Sequence, residues 1–128
     1  MSVTENKTLI RQYVDLFNKD WAAALKHYIA DESLVQHIHF FQGAFPGYQL
    51  TPEDVVAEGD KVVVRTMFRG VHQGALLDIP ATGKEVAMSF IIIYRIANNK
   101  IVEHWMAVDR MGLMERLGAV PAPEAHAG

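Results

Sequence analysis

The sequence predicts an α+β domain in which N-terminal helices cover one face of a curved antiparallel sheet. Two observations carry that prediction. Apolar residues in the first third recur every three or four positions, and after Gly47 the period drops to two, with β-branched residues common in the later segments. A third observation bounds it, because 128 residues allow one core and not two of ordinary size.

Leu9, Ile10, Tyr13, Val14, Leu16 and Phe17 form one stripe and predict a first helix over residues 4–17, with Thr4 and Lys7 only a partial cap. Asp20 can cap a short second helix carrying Trp21, Ala24, Leu25 and Tyr28 on one side. Asp31 or Ser33 can start a third helix through Phe41, which Gly43 and the Phe45-Pro46-Gly47 turn stop. A strand is then expected over residues 48–57, reversing at Glu58-Gly59-Asp60 into a second over 61–70. Residues 71–84 hold glycines and a proline suited to an irregular connection, and strands follow over 86–97 and 101–108. Asp109 can cap a closing helix bearing Met111, Leu113, Met114 and Leu117. The domain is expected to span residues 1–118, with 119–128 a flexible tail.

The last hairpin has a register that its charges select. A three-residue loop at 98–100 pairs Ala97 with Ile101 and sets Arg95 opposite Glu103, whereas a two-residue turn would oppose Arg95 to Val102. In the charge-matched register Phe90, Ile92, Tyr94, His104 and Met106 share one side of the sheet. The other side carries Ile91, Ile93, Trp105 and Ala107, too much apolar area to leave in water, so a homodimer through this outer face is expected.

Composition removes several classes of function. Twelve Lys and Arg against fifteen Asp and Glu give a net charge of -3, so no nucleic-acid partner is expected. The chain has no cysteine, hence no disulfide and no thiolate chemistry. The longest apolar run covers residues 90–94, far below the roughly 20 a membrane helix needs, and the polar start lacks a signal-peptide core. The expected location is cytoplasmic, with no membrane contact. His37 and His39 stand two apart on a helix, where ligand pairs need a spacing of three or four, so no metal is expected there. The run Gly70-Val71-His72-Gln73-Gly74 lacks the Lys-Ser or Lys-Thr of a phosphate loop, and no nucleotide is implied.

Four stretches together resemble a known family. They are residues 13–20 with Phe17-Asn18; Ala44-Phe45-Pro46-Gly47-Tyr48 followed by Ala57-Glu58-Gly59-Asp60; residues 69–74 with Pro80-Ala81-Thr82-Gly83; and Tyr94-Arg95-Ile96 with Ile101-Val102-Glu103-His104-Trp105 and Asp109. In order and spacing they resemble the SnoaL-like polyketide cyclases of the nuclear-transport-factor-2-like superfamily. The resemblance implies a cone-shaped sheet with the helices on its concave face, around an apolar pocket. It further implies cofactor-free closure of a ring by intramolecular aldol reaction, with a base removing a proton next to a carbonyl and an acid protonating oxygen. The family's motif His matches His104, its acid/base Asp position is Met106 here, and a second pocket His position is Ile92. The connection between Tyr28 and Ser33 is shorter than the strand and loop of the family.

The expected catalytic residues are therefore His104, an imidazole able to act as base near pH 7, and Asp109, a carboxylate just past the last strand that can equally cap a helix. Met88, Phe90, Ile92, Tyr94 and Met106 are the expected pocket wall, with His72 at its entrance and Tyr94 able to offer a phenolic hydrogen bond. The substrate expected is a small apolar carbonyl compound. The alternative is a binding module that holds a small apolar ligand in the same pocket without chemistry.

Overall fold

Helix α1 (Val3–Lys19) begins earlier than its apolar stripe, because Ser2 and Glu5 close a capping box: the Glu5 N–H donates to Ser2 Oγ at 3.0 Å and the Ser2 N–H to Glu5 Oε1 at 3.0 Å. The cap is thus Ser2 and not Thr4. Asp20 ends α1 and caps α2 (Trp21–Tyr28), its Oδ1 accepting the Ala23 N–H. Asp31 caps α3 (Glu32–Ala44), which runs three residues past the expected stop at Phe41, since Gly43 in mid-turn is tolerated where the helix packs. The sheet follows as β1 (Gln49–Glu58), β2 (Lys61–Val71), β3 (Glu85–Ala97) and β4 (Lys100–Ala107), and α4 (Arg110–Leu117) closes the chain. This computed structural model describes residues 2–119. The expected tail lies outside the described residues except Ala119, whose N–H bonds to the Met114 carbonyl at 2.9 Å beyond a left-handed Gly118.

The strands form one antiparallel meander in the order β1-β2-β3-β4. Tyr94 opposes His104, Ile92 opposes Met106 and Arg95 opposes Glu103, the register that the charge pair selected, with Arg95 Nε 2.7 Å from Glu103 Oε1. The turn that delivers it is different from expectation. Ala97 pairs with Lys100, leaving a two-residue turn of Asn98 (φ 53) and Asn99 (φ 61), and the register shifts between Arg95 and Ile96 so that Val102 is the extra residue. Two consecutive left-handed Asn residues match the twist of a tight hairpin, and the bulge absorbs the one-residue difference.

Side-chain alternation sorts the sheet into two faces. The concave face buries Leu50, Val62, Val64, Phe68, Val86, Met88, Ile92, Tyr94 and Ile96 under the helices, α1 packing on β1 and β2 and α4 on β3, with Ile10, Tyr13 and Phe17 in the core. Tyr13 is edge-on to Phe17, Tyr28 and Tyr94, with ring centroids 5.9 to 6.0 Å apart. Asn18 ties the end of α1 to the free edge of β1 by a reciprocal pair, Leu50 N–H to Asn18 Oδ1 at 2.9 Å and Asn18 Nδ2 to the Leu50 carbonyl at 2.7 Å. At the opposite edge the short link between α2 and α3 pairs once with β4, through Ala30 N–H to the Ile101 carbonyl at 2.9 Å. That link sets Asp31 beside β4.

Among the described residues no helix is long and apolar enough to cross a membrane.

Candidate functional site

His104 and Met106 on β4, and Val108 just past its end, follow one another along the concave side, and α3 lies over them. The turn of chain after Ala30 brings the α3 cap, Asp31, against His104: Asp31 Oδ2 is 2.6 Å from His104 Nδ1. The other carboxylate oxygen, Oδ1, accepts the backbone N–H groups of Ser33 at 3.0 Å and Leu34 at 3.3 Å. One carboxylate therefore both starts a helix and holds an imidazole, and the positive end of the helix favours its charge. Burial works against ionisation of Asp31, yet the bonds from His104 and from the Leu34 and Ser33 amides outweigh it and hold this carboxyl below the usual range. The pair is largely withdrawn from water, with 5% of the His104 side chain and 12% of the Asp31 side chain exposed. The second ring nitrogen of His104, Nε2, lies 3.1 Å from Nδ1 of His37, one turn and a half along α3 and open to solvent. The two rings meet edge to face.

This is a chain of carboxylate, imidazole and imidazole. A carboxylate can only accept, so the short bond puts a hydrogen on His104 Nδ1 and turns the lone pair of the neutral ring toward His37. Sequence reasoning placed His104 on the concave face and missed both of its partners. In the sequence Asp31 reads as a helix start, and His37 and His39 stand two apart, a spacing that suits no metal pair on a helix. His39 in fact packs on Trp21, with centroids 5.4 Å apart. Asp109, the carboxylate expected to assist, caps α4 instead, accepting the Gly112 N–H at 2.8 Å. Proximity in sequence to the last strand suggested Asp109; proximity in space belongs to Asp31, 73 residues before His104.

An apolar cavity of about 40 Å³ opens further along the same face, lined by Phe41, Phe45, Tyr48, Phe68, Met88, Phe90, Val108 and Leu113. Met88 and Phe90 are part of this lining. Ile92 and Tyr94 are buried deeper in the core, and Met106 is half-buried between His104 and the cavity. Burial pushes the Tyr94 phenol up, so it stays protonated through the neutral range. His104 itself is not on the wall, standing four residues before Val108, about 13 Å of extended chain.

His72, expected at an entrance, is fully buried. Its ring lies against Phe45 at 5.3 Å, and Nδ1 accepts the Thr82 N–H at 3.2 Å while the Thr82 hydroxyl sits 3.0 Å away. The His72 N–H and carbonyl also pair with the Lys84 carbonyl and the Gly83 N–H, so this residue stitches the 71–84 connection to the core. The tight contact of Gly74 with the end of α3, where an added Cβ would meet the Gly43 carbonyl oxygen at 2.0 Å, draws the start of this connection against the core, so that His72 and Leu76 are buried while most of the segment stays exposed. Among the described residues no group of three or more His, Cys, Asp or Glu is placed to hold a metal ion.

Helices laid on the concave face of a four-stranded meander, with an imidazole and an apolar cavity beneath them, define a small α+β domain of the pocket-bearing kind. The family is given by sequence: the SnoaL-like polyketide cyclase profile matches residues 7–117, and the chain belongs to that family. Among solved structures it is similar to AclR from Streptomyces galilaeus, for which a hydroxylase activity has been proposed, at 28% identity over 98% of this chain and 88% of that one, with a TM-score of 0.84. TsrD from Streptomyces laurentii is similar at 26% identity over 94% and 99% of the two chains, TM-score 0.80. IdmH from Streptomyces antibioticus, a proposed polyketide cyclase, is similar at 25% identity over 88% and 98%, TM-score 0.74. No curated protein matches the chain.

Proposed function

We propose that this protein performs cofactor-free acid/base chemistry on a small apolar carbonyl compound, as a polyketide or ester cyclase would, with Asp31 and His104 as the acid/base unit. The observation that supports the reading is the 2.6 Å bond from the buried His104 Nδ1 to Asp31 Oδ2. Such a carboxylate fixes the tautomer of the ring and stabilises the imidazolium formed when the ring takes a proton. In an aldol closure the compound displaces the exposed His37 ring from His104 Nε2, the lone pair freed there removes the proton beside one carbonyl, the resulting carbanion carbon attacks a second carbonyl, and the imidazolium returns its proton to the new oxyanion. The apolar part of the compound would lie toward Met106, Phe90 and Met88. At about 40 Å³ the cavity is well short of the roughly 150 Å³ that holds a benzene ring, so occupation requires Phe41 on α3 and Leu113 on α4 to part.

The test is α-proton exchange of small cyclic ketones, from cyclopentanone to 2-tetralone, followed by NMR in D₂O. Wild-type protein is expected to accelerate exchange, and His104→Ala to lose it by about 100-fold or more with the fold retained. Equal exchange by the two proteins would sink the assignment.

One observation favours the alternative, a binding module without chemistry: no carboxylate or imidazole is among the residues that line the cavity. Uptake of an apolar ligand by wild type and His104→Ala alike, without proton exchange in either, would select that reading.

The outer sheet face supports a homodimer. Val56, Val63, Ile93 and Trp105 pair in succession across all four strands and make one apolar row on the convex side. Val56 is 62% exposed, Ile91 47% and Trp105 43%. Ion pairs flank the row on both sides, Arg65 with Glu53 and Asp54, Arg95 with Glu103 and Asp60, so the arginines beside the row are paired within the chain and leave the apolar strip between them for a second copy. Sedimentation is expected to give a dimer for wild type and a monomer for Trp105→Glu; a monomeric wild type would refute the arrangement.

A further inference from the structure

His104 spends its two ring nitrogens on two partners of different kinds. At Nδ1 is Asp31, largely buried; at Nε2, 3.1 Å away, is Nδ1 of His37, whose ring stands at the surface. The tautomers follow from valence. With hydrogen on His104 Nδ1, the neutral His104 can only accept at Nε2, so His37 must donate through Nδ1 and present a bare Nε2 to solvent. Both rings are then held in the Nδ1–H form, the less favoured tautomer of a free histidine side chain. A second state differs by one proton. It carries hydrogen on His37 Nε2 and on both nitrogens of His104, with the hydrogen bond between the rings reversed in direction.

We propose that Asp31, His104 and His37 form a proton relay, with His37 as its outer port. A proton arriving at His37 Nε2 makes a new N–H bond there, the His37 Nδ1–H bond breaks, and that hydrogen passes across the 3.1 Å gap to His104 Nε2. His104 becomes the imidazolium, and the charge sits against the Asp31 carboxylate. No electron is transferred, and the reverse sequence returns the proton to water at the surface. His37 acts here through His104 and is a positioning residue for it. Its side chain shares a face of α3 with Phe41, one turn on, which lines the cavity, so the port stands beside the ground where an apolar compound would lie. The relay would supply the proton traffic of the reaction proposed above, but it stands on the hydrogen-bond geometry alone.

The experiment is nitrogen NMR on the full chain labelled with ¹⁵N-histidine, at a pH of about 8, above the ordinary imidazole range of about 6.5. Both His37 and His104 are expected as Nδ1–H tautomers, with a scalar coupling across the hydrogen bond between His37 Nδ1 and His104 Nε2. In His37→Phe the interconversion of His104 between imidazole and imidazolium, read at its Nε2 by ¹⁵N relaxation dispersion near the ordinary imidazole value of about 6.5, is expected to slow at least tenfold. A merely structural role would do the opposite, because an opened site lets water reach Nε2 directly. An Nε2–H tautomer at His104, absence of the coupling, or unchanged or faster interconversion in His37→Phe overturns the relay. Loss of ketone exchange by none of the variants, with these signatures intact, would instead overturn the proposed function and leave the relay standing.

Discussion

Phe45→Ala is expected to remove about 3–5 kcal/mol of stability, read as a drop in the urea midpoint at unchanged slope and a fall in Tm of roughly 10–20 °C. Phe45 is fully buried just after α3, where the chain turns into the sheet. Its ring meets Phe68 at 5.2 Å and His72 at 5.3 Å, and a Cβ added at Gly70 would come within 3.1 Å of the Phe45 Cβ, so the backbone of β2 is fitted against this side chain. Removal would leave a space joined to the existing cavity. The neighbouring His72 Nε2 has no partner among the described residues, and water entering beside it would soften the loss toward the lower figure. Since a domain of this size has about 5–15 kcal/mol in all, even that figure is a large share. A loss below about 1 kcal/mol would mean that α3 collapses onto the sheet and that the aromatic junction does not hold the connection in place.

Asp31→Ala removes two contributions at once and is expected to cost about 2–4 kcal/mol. The α3 cap is worth about 1 kcal/mol, and a His104 Nδ1–H left unpaired in a site only 5% exposed costs about 1–3 kcal/mol more. Two further variants separate the two. Asp31→Ser keeps a capping oxygen and gives up the His104 partner, so it should recover only the smaller part; Asp31→Asn keeps a cap and a neutral acceptor and should recover most of the loss. The pH dependence has a definite sign. Asp31 titrates below its ordinary value of 3.8 in the folded protein, so its contribution is complete above that value and fades as pH falls through the lower folded value. Wild type and Asp31→Asn should therefore differ at neutral pH and converge in strong acid. A difference that grows on acidification would show that the carboxylate is not the ionised partner of His104.

The fold was legible because its determinants are local. The stripe from Leu9 to Phe17, the alternation through β2 and β3, and the turn residues at Gly59 and at Asn98-Asn99 each act within a few residues. The Arg95 and Glu103 pair was enough to choose the register, although the turn that produces it uses a bulge, because one extra residue on β4 leaves no trace in the alternation that matters. The resemblance of four short stretches then identified the family that the profile over residues 7–117 shows.

The candidate site was half legible. His104 could be placed on the concave face because the period of a strand is two, and that alone orients a side chain. Its partners could not be found in the same way, since Asp31 lies 73 residues away and His37 on another element, and no pattern in either segment encodes which strand they will meet. Asp109 was the nearer carboxylate in sequence, and His72 the nearer loop histidine, but a helix end claimed the first and the core the second. What the sequence by itself determined was the order of elements, the faces of the strands and the family, all properties of short-range pattern. Only the tertiary structure decided which carboxylate meets the imidazole, which ring carries its proton to the surface and how small the cavity is, because these depend on how the link after α2 closes on the edge of β4 and how tightly α3 and α4 pack across the sheet.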